Sequence, residues 1–525
     1  MNENKKFKTQ VLIVGAGPTG LTLAYALAQL GISIRIIDKS QEPSQHSKAL
    51  AIQARTLETL KILGLEKSFL EKGIQARHLN AYLEKCRLWR FHIHNSNTPF
   101  PFILILPQND TENILITRLR EDFHIEVERS VDLIELKQQA RTVRVELLKN
   151  GSLSEKSTYD YVCGCDGAHS HVRGLLSLPF DGNIFEESFT LLDCHIKGDL
   201  PLNEGNVFLG HEDLMGIIPI SKKYHRIILA QPPNLRPPET LLEFQTLLNK
   251  HSPKPLELSD EIWMSHFRVS RRIVPTMNLE NVFLLGDAAH IHSPAGGQGM
   301  NLGIQDAINL AWKLSLVLQN HAPTHFLESF SRERRPIAQH VLRGTNFATR
   351  ELITQNRFLL WLRNHLLANL LTINWIQEKF ADAIMQLSHN YRKSNWVSGD
   401  SGHKLKPGDR FPHFWIEDSQ DQKISSLNLV NPHSHTLVLA LNRTLTMGEK
   451  EVLQKIKGHH NIKTCVISSL PSTHESYYKT TSHELKNHLY VSECALFLIR
   501  PDGYIGMRSS TLNEELISNY FQFQG

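Results

Sequence analysis

The chain has 525 residues, 41% of them hydrophobic and 21% charged, with a formal net charge of +4. That length calls for more than one domain around a large core, and so small a charge gives no ground for a nucleic-acid partner. The six cysteines are scattered without a metal-type or redox C-x-x-C pair, which fits a reducing, cytoplasmic setting.

Residues 1–6 are polar and run straight into a strand, the wrong pattern for a signal peptide. Residues 11–14 form a short apolar run, as a buried parallel strand would. A helix is predicted over 21–30, ending at Gly31, and a second strand over 32–37. Between the first strand and the helix lie Gly15, Gly17, Pro18 and Gly20 in a G-x-G-x-x-G pattern. The first glycine permits a tight turn, the second lets the backbone approach a pyrophosphate, and the third allows close helix–strand packing. Asp38, followed by Lys39, stands about 20 positions on, where an acid takes ribose hydroxyls. This predicts a dinucleotide site without separating FAD from NAD.

A helix over 53–63 is predicted to stop at Gly64. Residues 76–104 then alternate and carry aromatics and histidines, as strands of a different sheet would. Residues 112–180 return to α/β character, and 185–278 are strand-rich again, so two domains interleave. Helices follow over 305–318 and 326–350. Residues 358–380 are apolar but interrupted by Arg363, Asn364, His365 and Asn369, which predicts an amphipathic helix on the body of the protein. No apolar run reaches spanning length, so no membrane partner is expected. A turn-rich boundary falls at 395–408. After it come a strand at 436–441, a helix at 448–457, and strands at 464–468 and 495–499.

Two further motifs sit at strand ends. Asp166-Gly167 follows an apolar strand and precedes Ser170 and Arg173, and Gly286-Asp287 follows another. Taken singly, Asp-Gly is a common turn. The stretch from Pro294 to Asn301, including Gly297, Gly299 and Met300, is too glycine-rich to pack for its own sake, and it opens a helix. Amides at that helix start suit the negative charge of a reduced flavin. His290 and His292 have a metal-like spacing but no third ligand, so no metal is expected.

Together these pieces resemble the single-component FAD-dependent aromatic hydroxylases, the group of para-hydroxybenzoate hydroxylase and phenol hydroxylase. Residues 47–58, Leu106-Pro107-Gln108 with Thr111 and Glu112, Asp166-Gly167, 286–301 and 331–336 carry the likeness. It implies an α/β fold: a Rossmann-like FAD-binding domain (1–75, 105–184 and 279–395, with a helical extension) interleaved with a β-sheet substrate domain (76–104 and 185–278). It implies that Asp166 and Gly167 hold FAD and serve NAD(P)H, that Asp287 holds the ribityl chain, and that Gln108 touches FAD. Pro294 and Gly297, with Gly299, Met300 and Asn301, would line the reacting flavin ring. Lys48 departs from the family, which usually has Arg there, and a lysine loses planar, forked bonding. Residues 404–525 resemble the thioredoxin-like domain of the phenol hydroxylase branch. No cysteine pair follows the strand at 436–441, so a packing or dimer-contact role is expected there.

The implied activity is hydroxylation of an aromatic or polycyclic substrate with NAD(P)H and molecular oxygen, through a flavin C4a-hydroperoxide. The alternatives are a reductase, dehydrogenase or halogenase on the same scaffold, or a non-catalytic FAD-binding protein. A homodimer is the assembly the resemblance allows. For the substrate wall the sequence offers Met215 to Pro219 and His266, each equally readable as sheet core.

Overall fold

Short apolar runs dictate the first sheet of the computed structural model, which describes residues 9–44, 47, 49–83, 85–93, 97–210, 213–293, 296–352, 373–459, 462–472 and 474–524. Val11–Val14 is buried throughout and pairs in parallel with Ile34–Asp38 on one side and Tyr161–Gly164 on the other. Val282–Leu284 adds in parallel beside Tyr161–Gly164, and two short strands complete a sheet of six. These strands are continuously apolar because helices cover the sheet. Helix Pro18–Gln29 packs against helix Gly299–Leu318, which begins six residues before the predicted start at 305. The fold is α/β with a Rossmann-like first half.

One element of this half differs from the sequence expectation. Residues 131–159 form an antiparallel meander of Val131–Gln139, Thr142–Lys149 and Leu153–Tyr159. Its last strand is polar and mostly exposed, so it shows no apolar alternation to be read.

The second sheet has eight strands, in the order His290–Ile291, Glu257–Ile273, Asp181–Lys197, Tyr224–Gln231, Leu214–Pro219, Glu204–Leu209, His78–Leu83 and Cys86–His92. Strands from two distant stretches thus share one sheet. Alternate residues face opposite sides. One side buries Leu192, Met215, Ile217, Ile227 and Leu229 under helix Leu241–His251. The other side sets Ile218 against Leu50, Ala76 and Ile105 of the first half.

The third sheet is centred on Thr436–Leu441, parallel to Lys463–Ser468 and antiparallel to Cys494–Ile499. Helix Met447–His459 joins the parallel pair. Fully buried charges attach this unit to the first half. Arg500 donates to both oxygens of Glu333 at 2.7 and 2.8 Å, and Lys313 donates to Glu333 at 2.7 Å. The amphipathic stretch predicted over 358–380 lies outside the described residues as far as 372, and its end forms helix Asn374–Ile384. Among the described residues no helix is long and apolar enough to cross a membrane.

Candidate coenzyme site

Val14, Gly164 and Leu284 end three adjacent parallel strands, and the three motifs follow them at one edge of the sheet. From Val11–Val14 the chain leaves to one side for Ile34–Asp38 and later returns on the other. Open α/β sheets bind ligands at such a reversal. Gly15 has φ +103°, and a Cβ there would lie 2.4 Å from the Cys165 carbonyl oxygen. A Cβ on Gly20 would lie 1.9 Å from the Gly15 carbonyl oxygen. Gly17 is different: a Cβ there would meet nothing within 4 Å. Gly17 is also the N-cap of helix Pro18–Gln29, which has no side-chain cap. The first N–H groups of that helix meet no side-chain cap, and a helix start of that kind suits an anion. Asp38 is fixed in place, accepting from Ala16 N–H at 2.7 Å and Ser40 N–H at 2.8 Å, and Lys39 is exposed beside it.

The carboxylate of Asp166 accepts from Ser170 Oγ at 2.6 Å and from the amides of His171 and Val172 at 2.7 and 3.0 Å. It thereby holds the start of the short helix His171–Leu175, with Gly167 turning at φ +78°. Arg173 then ties two motifs together, donating to the carbonyls of Ala168 at 3.0 Å and Ala288 at 2.9 Å. Cys163 and Cys165 are buried, and burial pushes both thiols well up, so they are inert packing groups.

Asp287 is exposed in the turn Gly286–Ala288. Asp306, fully buried behind it, accepts from Gly286 N–H at 3.1 Å, from His290 Nε2 at 2.8 Å and from Arg334 Nε at 2.6 Å. Burial works to raise the Asp306 carboxyl, but Arg334 and His290 outweigh it and hold it below the ordinary value. His290 is thus committed to Asp306. His292 donates from Nδ1 to the Ser293 carbonyl at 2.8 Å, and burial pushes its imidazole down to about 4. Neither histidine joins a metal-type cluster among the described residues.

Asn301 uses its whole side chain on the protein. Nδ2 donates to the carbonyls of Ala51 and Gly297 at 2.8 Å each, and Oδ1 accepts from Gln53 N–H at 2.8 Å. Gln53 Nε2 in turn donates to the Gly296 carbonyl at 2.8 Å. This staple holds Gly297, at φ +61°, against Ala51 at the head of helix Gly299–Leu318. Met300 is half-buried in that first turn. Gln108 starts helix Gln108–Phe123, and its amide donates to Ser47 Oγ at 2.7 Å while Nε2 donates to Glu112 at 2.9 Å. Lys48 and Pro294 lie outside the described residues. The sequence reading gave no role to Gln53 and Arg334, though both lie in stretches that carry the likeness, and it passed over Asp306. A Gln before a helix or a lone buried Asp has no local pattern to flag it.

Beside this edge, the face of the large sheet turned toward the first half carries an apolar patch, next to Arg226 paired with both oxygens of Asp193 at 2.7 and 2.6 Å. Phe189 and Phe267 stack at 5.9 Å, packed with Ala230 and Leu214. Of the proposed wall, Ile218 lies on this side whereas Met215 and Ile217 face the covering helix. His266 is exposed, with Nδ1 bonded to Thr190 Oγ1 at 2.9 Å.

Three converging strand ends, an uncapped helix start and a second sheet against them define a dinucleotide-coenzyme protein of the Rossmann type. The chain belongs to the FAD binding domain family, whose profile matches residues 8–345. It is 35% identical over 354 residues to 6-methylpretetramide 4-monooxygenase of Streptomyces rimosus, covering 66% of this chain and 63% of that protein. It is 33% identical over 354 residues to pentachlorophenol 4-monooxygenase of Sphingobium chlorophenolicum, covering 65% and 64%. The matched sequence thus spans under two thirds of either relative. The solved anhydrotetracycline hydroxylase of Streptomyces rimosus superposes over 99% of both chains, with a TM-score of 0.75 and 26% identity.

Proposed function

We propose that this chain is an FAD-dependent monooxygenase that consumes NAD(P)H and O2 to hydroxylate an aromatic or polycyclic substrate. The observation that carries this reading is the meeting of Gly17, Asp166 and Asp287 at one sheet edge, next to the apolar patch of the second sheet. The residues present fit the coenzyme. The bare helix start at Gly17 offers amides to a pyrophosphate, and open space at that glycine admits it. Asp38 suits the ribose, and the exposed Asp287 suits polyol hydroxyls. The head of helix Gly299–Leu318 presents N–H groups to the ring, and Asn301 holds the neighbouring loop in register.

Bound FAD supplies the redox and oxygen-transfer chemistry. The chain's own residues bind it, orient the substrate ring against Phe189, Phe267 and Ile218, and keep water out. In this reading residues 404–525, taken as thioredoxin-like, serve packing. The sequence holds no second glycine fingerprint, so NAD(P)H docks transiently at the same edge.

The test mixes FAD-loaded protein, NAD(P)H and a panel of phenols and polycyclic phenols under labelled oxygen. Substrate-stimulated NAD(P)H oxidation with label in the product is expected. Stimulated oxidation without label would indicate a dehydrogenase or reductase. No stimulation and no product by any panel member would overturn the proposal.

A further inference from the structure

A groove lies on the other side of the large sheet, the side that carries helix Leu241–His251. Register places Arg268, Ser188 and Gln231 in one row across three strands. His266 and Thr190 form the next row on the same side, since alternate residues share a face. The turn at Pro232, closed by Leu235 N–H on the Pro232 carbonyl at 3.2 Å, bends the following chain over this row. Pro233, Leu235 and Pro237 complete a groove of about 310 Å³.

Three features of the groove ask for a ligand. Ser188 Oγ is buried and has no hydrogen-bond partner among the described residues. Buried polar atoms are ordinarily paired. Arg268 is exposed and has no ion-pair partner among the described residues. His266 spends Nδ1 on Thr190, which leaves Nε2 for another group. One cation, one hydroxyl and one imidazole nitrogen thus stand together beside the flat surfaces of the prolines.

We propose that this groove is a second small-molecule site, for an aromatic acid. The ring lies against Leu235 and the prolines. Its carboxylate meets the Arg268 guanidinium and the Ser188 hydroxyl, and a ring hydroxyl meets His266 Nε2. Charge-assisted bonds to a planar guanidinium favour a carboxylate over a neutral ester. The site is separate from the apolar patch beside the coenzyme edge and does not depend on the reaction proposed there.

The test is calorimetric titration of the FAD-loaded full chain with 3-hydroxy-2-naphthoate and with its methyl ester. Binding of the acid is expected, with the ester at least tenfold weaker. Arg268→Gln should weaken the acid at least tenfold and Ser188→Ala a few-fold. Both variants should keep the flavin spectrum, the melting temperature and NAD(P)H consumption of the parent. Absence of binding, an ester that binds as well as the acid, or equal affinity in Arg268→Gln would overturn the proposal. The last result would assign the ligand to the coenzyme side. Because the titration needs no turnover, its failure is distinguishable from failure of the monooxygenase reading.

Discussion

The chain builds the same strand–helix–strand unit twice and finishes the two helix starts in opposite ways. In the first, Val11–Val14 leads through Gly17 into helix Pro18–Gln29, and no side chain caps the helix. In the second, Thr436–Leu441 leads through Thr446 into helix Met447–His459. There Thr446 Oγ1 accepts from Glu449 N–H at 3.3 Å, and Glu449 accepts back from Thr446 N–H at 2.9 Å. Arg443 grips the same Glu449 at 2.6 and 3.0 Å. The second helix start is therefore filled by its own carboxylate, whereas the first has no side-chain cap and, in the proposed reading, receives the coenzyme's pyrophosphate. Equal topology does not mean equal function; the cap residues separate a binding edge from a packing element.

The sharpest way to break this contrast is to close the open end. Gly17 has φ −78° and ψ −178°, a cap conformation any residue adopts, with open space around it. Gly17→Asp should fold normally and gain a weak cap. Its carboxylate would then stand where a pyrophosphate must come. A unit charge about 4 Å from another costs about 4 kcal/mol at an effective dielectric of 20. FAD affinity should fall roughly a hundredfold or more, read by flavin fluorescence titration against an unchanged melting curve of the apoprotein. Retained affinity would mean that the coenzyme phosphates do not sit at this helix.

If the second unit is a packing element, its importance should lie in its attachment. Glu333 is fully buried between Arg500 and Lys313. Burial works to raise its carboxyl, but the two cations outweigh it and hold it well below the ordinary value. A depressed carboxyl stabilises the fold fully above its unfolded value, and that stability is lost as pH falls below it. Glu333→Gln leaves buried Lys313 without a carboxylate and buried Arg500 with Asp502 alone, and should cost about 3–5 kcal/mol in urea unfolding. It should also flatten the loss of stability below about pH 4.5 that the parent shows. A parent and variant with parallel pH profiles would refute the assigned role of this ion cluster.

The coenzyme edge was legible in the sequence because it is made of backbone. Gly15 and Gly20 are required by carbonyl oxygens within 2.4 and 1.9 Å of where a Cβ would stand, and such glycines leave a spaced pattern. The attachment of the C-terminal unit was not legible. Lys313, Glu333 and Arg500 lie far apart in the chain, and ion pairing over that range leaves no period. Asp166 shows a subtler limit. The reading assigned it to the coenzyme without seeing that its oxygens also cap His171–Leu175, a contact that Ser170 four residues on could have suggested. Met215 could be read either as wall or as sheet core for want of register: one step along the strand separates the covered side, where it lies, from the coenzyme side.

The smallest effect sharpens the comparison from the closed end. Thr446→Ala removes the hydroxyl that accepts from Glu449 N–H, and losing such a cap costs about 1 kcal/mol. Arg443 first, with the Thr446 bonds, holds the Glu449 carboxyl down to about 2. Its contribution is therefore complete above the ordinary glutamate value and fades as pH falls toward 2. The variant should melt a few degrees lower at neutral pH, lose part of that acid dependence, and bind FAD as the parent does. Weaker FAD binding in Thr446→Ala would show that the two helix starts are energetically coupled, and that the C-terminal unit does more than pack.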